Sequence, residues 1–139
     1  MTNNYFHKVR SYLLELDFQI SYEDELECVL VVEKENIGIK NLVIGCTDPL
    51  LILEQYILEL PQENLEIYRS LLQKNRDIIH GAFVLDESGR KVIFRDTLQI
   101  DTLDLGELEA SFNSLALLLS EYSDQLISFS KAEKQPAVY

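Results

Sequence analysis

Basic residues are scarce in this sequence. Twelve Lys and Arg stand against 24 Asp and Glu, giving a formal net charge of −12. Nucleic acids and anionic membranes need a basic face to bind, so neither is an expected partner. Long apolar runs are also missing. The opening stretch "MTNNYFHKVRSYLLELDF" has no uninterrupted apolar core of the signal-peptide kind, and no window approaches the length of a membrane span. The expected location is the cytoplasm. There are only two cysteines, Cys28 and Cys46, with no CxxC or Cys/His spacing to suggest zinc. They fall in neighbouring predicted strands and read as reduced, small, buried apolar residues, not as a disulfide. Gly38, Gly45 and Gly81 are too scattered for a phosphate-cradling loop, and no GxSxG nucleophile turn occurs.

What is present suits one globular domain. A chain of 139 residues, 47% hydrophobic, is long enough for one core and short for two. Tyr5, Phe6, Val9, Tyr12, Leu13 and Leu16 recur at helical steps over 3–17, predicting a first helix. "ECVLVVEKE" (27–35), "KNLVIGCT" (40–47) and "LLILEQYILEL" (50–60) are rich in β-branched and aliphatic residues and are separated by Asn36/Gly38 and by Thr47-Asp48-Pro49. They predict a three-stranded meander. A second helix follows Pro61, with Leu65, Tyr68, Leu71, Leu72 and Ile79 at helical spacing. Asp104 with Glu107 three residues on forms a capping box that opens a last helix, whose apolar positions run Leu105, Leu108, Phe112, Leu115, Leu119, Tyr122, Leu126 and Phe129. Ala116, Leu118 and Ile127 widen that stripe beyond a coiled-coil seam, so the helix should lie across a sheet. The expected fold is therefore a single α+β domain over 1–130, in the order α-β-β-β-α-β-β-α, with an antiparallel sheet packed by helices and a frayed tail over 131–139.

The two remaining strands lie in "HGAFVLDESGRKVIFRDTL", residues 80–98. A type I turn with a bulge at Asp86-Glu87-Ser88-Gly89 sets Asp86 opposite Arg90, Val84 opposite Val92, Phe83 opposite Ile93, Ala82 opposite Phe94 and His80 opposite Asp96. In that register both faces are apolar: Ala82, Val84, Val92 and Phe94 on one, Phe83, Leu85 and Ile93 on the other. A hairpin with one wet face would alternate, so this one needs cover on two sides. His80 and Asp96, with Arg95 beside them, have the makings of an oriented acid/base pair. A cross-strand polar pair is the plainer explanation. The acidic run Asp96, Asp101, Asp104 and Glu107 lacks the alternating ligands and central glycine of an EF-hand, and capping accounts for Asp104 and Glu107 without a metal. His7 has no evident partner, and Arg69, Lys74 and Arg76 read as the solvated face of the second helix.

The stretch from Leu71 to Phe112 resembles the YbjN-like and Tir-chaperone-like proteins, relatives of the class I type III secretion chaperones. Leu71-Leu72, Asn75, His80-Gly81-Ala82-Phe83, Gly89, Arg95-Asp96-Thr97-Leu98 and the acidic-leucine entry Leu103 to Leu108 carry the resemblance. It implies a compact α+β homodimer without enzymatic activity or cofactor, holding a segment of a partner protein in extended form. Val31, Val43 and Leu53 on the first three strands are the expected partner-binding residues, sharing a face. Leu72, Phe83 and Ile93 are the expected dimer contact. Two other functions compete with this one: a small metal-dependent enzyme using the acidic run 96–107, and a regulator whose partner is a folded protein.

Overall fold

A computed structural model describes residues 2–132. Helix α1 spans Thr2–Glu15, and strands β1 Gln19–Asp24, β2 Val29–Lys34, β3 Ile39–Thr47 and β4 Leu50–Glu59 follow. Helix α2 spans Leu65–Asn75, strands β5 and β6 span Ala82–Leu85 and Lys91–Gln99, and helix α3 spans Leu105–Ser130. One antiparallel sheet results, in the order β1-β2-β3-β4-β6-β5. Except for one strand more, this is the order read from the sequence. The additional strand is β1, an edge strand paired only with β2, whose residues are mostly exposed. With no deeply buried face, Gln19-Ile-Ser-Tyr-Glu-Asp shows no apolar alternation to read. The expected tail lies, from residue 133 onward, outside the described residues.

Local chemistry sets the element ends. Helix α1 stops at Asp17, which takes the left-handed conformation (φ 64°) while the Phe18 N–H bonds back to the Leu13 carbonyl at 2.9 Å. Asn64 caps α2 by accepting the Ile67 N–H at 3.2 Å, and Asp104 caps α3 by accepting that of Glu107 at 2.7 Å.

All three helices cover one face of the sheet. The pairings Val32↔Leu42, Leu30↔Ile44, Ile44↔Leu53 and Gln55↔Phe94 put these residues on that face, and all are buried. The apolar ones share one core cluster with Phe6, Val9 and Leu13 of α1, Ile67 and Leu71 of α2, and Leu108, Phe112 and Leu115 of α3. The stripe on α3 buries against β4 and β6, so this helix does lie across the sheet. Its 26 residues span about 39 Å at ~1.5 Å per residue.

The 80–98 hairpin forms with its register one residue away from that expected. Ala82 pairs with Arg95, Phe83 with Phe94, Val84 with Ile93 and Leu85 with Val92. The cause is the Asp86 carboxylate, which accepts from the Ser88 hydroxyl at 2.6 Å and the Ser88 N–H at 3.2 Å and reaches the Lys91 N–H at 3.4 Å. Asp86 therefore pairs with Lys91, its N–H donating to that residue's carbonyl at 3.2 Å, and the loop holds four residues. The Ser88 hydroxyl bond, first among several, holds the Asp86 carboxyl below its ordinary range. A one-residue slip exchanges the faces. Phe83, Leu85, Val92 and Phe94 now face the helices, and Val84 and Ile93 face away.

Candidate partner-binding surfaces

The other face of the sheet has no helix on it. Its residues alternate with the buried ones: Val29 and Val31 of β2, Val43 of β3, Leu50, Ile52 and Tyr56 of β4, and Ile93 of β6. Val43 is 42% exposed, and Tyr22 and Tyr56 are 54% and 55% exposed. One ion pair sits among them, Arg95 Nη1 to Glu54 Oε2 at 2.7 Å across β4 and β6. Contiguous apolar surface on a small protein is a candidate contact surface.

The two edges of the sheet differ. At β5 the side chain of Asn75, the last residue of α2, takes the place of a neighbouring strand. Its Oδ1 accepts the Phe83 N–H at 2.7 Å and its Nδ2 donates to the Phe83 carbonyl at 3.1 Å. That edge is closed at Phe83. The α2–β5 unit is fastened further by the Tyr68 hydroxyl, which donates to the Gly89 carbonyl at 2.6 Å; burial pushes the Tyr68 pKa up. Gly81 (φ 83°) permits the close approach that starts β5, because a Cβ there would collide with the Phe94 ring. At the opposite edge, β1 is paired on one side only.

Of the residues singled out in the sequence, Val31 and Val43 are cross-strand partners on the open face. Leu53 does not share it. Val43 pairs with Glu54, so Leu53 is opposite Ile44 on the helix side, where it is 1% exposed. Leu72 is well exposed on α2 and Phe83 is buried beneath that helix, and both line a pocket of about 230 Å³. Ile93 pairs with Val84 and Tyr56 and belongs to the open face instead. The three residues therefore do not form one patch.

His80 and Asp96 are not joined. The Asp96 carboxylate accepts from the Ser111 hydroxyl at 2.6 Å and the Thr97 N–H at 2.9 Å, tying β6 to α3. The backbone of His80 is clipped to α3 by the Ser114 hydroxyl, which donates to its carbonyl at 2.7 Å. Arg95 is engaged by Glu54. The acidic run is dispersed in the same way, with Asp104 at its cap, and no group of three His, Cys, Asp or Glu able to hold a metal occurs among the described residues. His7 does have a partner, Glu25 at 3.3 Å.

Two further features differ from the sequence expectations. Cys28 and Cys46 form a disulfide, their Cα atoms 5.4 Å apart, and are not separate thiols. The register imposes this: Val29 pairs with Gly45, which places Cys28 opposite Cys46, and the Cys46 N–H donates to the Cys28 carbonyl at 3.0 Å. Lys74, expected on a solvated face, is buried between α2 and α3. Its Nζ donates to the Ser70 hydroxyl at 2.7 Å and lies 5.0 and 5.5 Å from the Tyr122 and Phe129 ring centroids. Burial lowers its pKa. A lone lysine amid polar neighbours on α2 gives no sequence signal for this.

No helix among the described residues is long and apolar enough to cross a membrane. The family model CesT_Tir_1 matches residues 2–132. No curated protein matches the sequence. Among solved structures, YbjN from E. coli superposes with a TM-score of 0.64 at 12% identity, covering 86% of this chain and 92% of that one. A chain of the HopA1–SchA chaperone–effector complex gives 0.62 at 12% identity, covering 95% and 98%. The structure of the Yersinia pestis type III secretion chaperone SycH in complex with a fragment of YscM2 gives 0.57 at 15% identity, covering 91% and 99%. At these identities the likeness is one of fold.

Proposed function

The chain belongs to the CesT_Tir_1 family of type III secretion chaperone-like proteins, which are not enzymes, and we propose that it is a homodimer holding an extended segment of a partner protein against the open face of its sheet. The observation that carries this reading is the apolar face, with Val31 and Val43 at its centre, that the chain's own helices leave uncovered. Alternate apolar residues of an extended client would meet this face, and its backbone would bond to the β1 edge, because Asn75 closes the β5 edge. The net charge of −12 favours a neutral to basic segment and acts chiefly on the rate of encounter. Affinity comes mainly from apolar burial, about 25 cal/mol per Å² before ordering costs, so salt weakens binding only modestly. The dimer contact belongs to the outer side of α2, where Leu72 is 70% exposed beside the closed β5 edge.

The test uses the partner that co-purifies from the native host, its bound segment mapped by limited proteolysis. Val43→Asp, shown to remain folded and dimeric, is expected to weaken binding at least tenfold. Unchanged affinity, or a bound region that is a folded domain, would replace this reading with that of a regulator. Light scattering should give twice the 16.1 kDa chain mass. A monomer at micromolar concentration would remove the dimer.

A further inference from the structure

The sheet carries a third stretch of unpaired edge, inside its own span. Although β3 runs Ile39–Thr47 and β4 Leu50–Glu59, their ladder reaches only from Thr47↔Leu50 to Val43↔Glu54. Past that point β3 stays with β2, through Val32↔Leu42 and Lys34↔Ile39, while β4 stays with β6 as far as Glu59↔Lys91. The strands fork. Gln55, buried at the fork, uses its side-chain Oε1 to accept the Lys40 N–H at 3.2 Å, a bond that a continuous ladder would give to backbone. Beyond Gln55, the side of Tyr56–Glu59 turned toward β3 meets no strand among the described residues.

A groove of about 1080 Å³ opens there. Its walls are the turn Asn36–Gly38, the free side of β4, and α3 from Ala116 to Ser130. Leu117 and Ile127 of α3 line it while 63% and 54% exposed, and Ser120 and Ser123 leave room between them.

We infer that this groove seats a short extended apolar segment of the client, which adds as a strand to β4 at Tyr56–Glu59. The inference rests on the segment-holding function proposed above and supplies it with a second seat. Unpaired backbone N–H and C=O groups between apolar walls are satisfied by an extended chain, whereas a helix has already used its own backbone groups. Charge narrows the occupant further. No basic residue lines the groove, and its one carboxylate is that of Glu59, which is engaged by Arg90 at 3.1 Å. In a chain of net charge −12 this suits a segment with apolar residues facing the groove and neutral or basic ones facing out.

The probe is a terminally blocked, fluorescein-labelled peptide, Lys-Val-Ser-Val-Lys-Val-Ser, titrated by anisotropy into the full chain, with hydrogen exchange of the Tyr56–Glu59 amides as a second readout. Three results are expected together. The peptide binds and slows exchange at 56–59 at least tenfold. Ile127→Glu, and separately Ser123→Trp, weaken binding at least tenfold in variants whose circular dichroism is unchanged. A version of the peptide N-methylated at alternate amides, which retains the side chains but cannot form a ladder, also loses at least tenfold. The peptide's protection of the Tyr56–Glu59 amides persists in Val43→Asp, which separates the groove from the open face. Binding abolished by Val43→Asp and untouched by Ile127→Glu would overturn the groove and leave the proposed function standing. Absence of binding, or equal affinity for the N-methylated peptide, would overturn strand addition. Conversion of a dimer to a monomer by Ile127→Glu would give the groove to a second copy of the chain. Failure of the function itself would be read independently, from the co-purified partner and Val43→Asp.

Discussion

Removing the Asn75 side chain should open the β5 edge. Its two bonds, 2.7 Å from the Phe83 N–H and 3.1 Å to the Phe83 carbonyl, are the only strand-like pairing that edge receives among the described residues. Each bond contributes about 1 kcal/mol net, and a buried group left without a partner costs about 1–3 kcal/mol. The site is only partly buried, so water recovers some of this, and Asn75→Ala is expected to destabilise by about 2 kcal/mol. At a slope of roughly 2 kcal/mol per molar urea for a small protein, the unfolding midpoint should fall by about 1 M at fixed protein concentration. Asn75→Asp separates the two bonds. It retains an acceptor for the Phe83 N–H, loses the donor, and sets a carboxylate oxygen against the Phe83 carbonyl. It should therefore match Asn75→Ala at neutral pH and recover part of the loss in acid, where a protonated carboxyl can donate. The bared edge should also make Asn75→Ala self-associate with rising concentration, as unprotected edge strands do. A midpoint shift worth less than about 0.5 kcal/mol, within the range of ordinary surface substitutions, together with unchanged association, would refute the edge-closing role.

Asp104→Ala removes the α3 cap and should cost about 1 kcal/mol in urea melts while leaving partner binding intact. Lys74→Met should stabilise the protein by about 1 kcal/mol at neutral pH, because burial disfavours the ammonium. A base with a lowered folded-state pKa carries its full penalty below that pKa and sheds it as pH rises toward the unfolded value of 10.5. The advantage of Lys74→Met should therefore shrink in alkaline melts, and a constant advantage would contradict burial as the cause. Dithiothreitol should lower stability by about 3 kcal/mol, the chain-entropy value for a loop of this size, given the sequence separation of 18 between Cys28 and Cys46. A melt insensitive to the reductant would show that the link contributes nothing.

The most legible part of the fold was α3, because its apolar steps, its capping aspartate and its length all agree. Strands β2, β3 and β4 were legible as β-branched runs between turn residues. What the sequence hides is register. At the 80–98 hairpin one extra loop residue, held by the Asp86 carboxylate, puts Phe83 and Ile93, expected on one face, on opposite faces. Across Asp48-Pro49 the same question decides whether Val43 shares a face with Leu53 or with Glu54, and the answer is Glu54. Strands apolar on both faces show that neither side of the sheet is plainly polar, but they do not say which face the helices take. Asn75 stands in the stretch that resembles the chaperone relatives, yet its use as a surrogate strand depends on where α2 ends relative to β5.

An open apolar face beside an edge strand is a hazard as well as the proposed binding site, and the same residues govern both. The Glu54–Arg95 pair lies within the face, so any covering surface must meet one carboxylate and one guanidinium or desolvate them. Indiscriminate stacking of hydrophobic surfaces is therefore penalised, while a client able to place a polar atom there is not. Asn75 closes one edge to strand pairing, and the charge of −12 sets copies of the chain against each other at long range. On the proposed function, these restraints would favour apolar contact with an extended, neutral or basic segment over contact with other acidic surfaces. Selectivity of this kind needs no pocket shaped to one side chain. On the proposed function it would follow from one ion pair placed among apolar residues and from the sign of the surrounding charge.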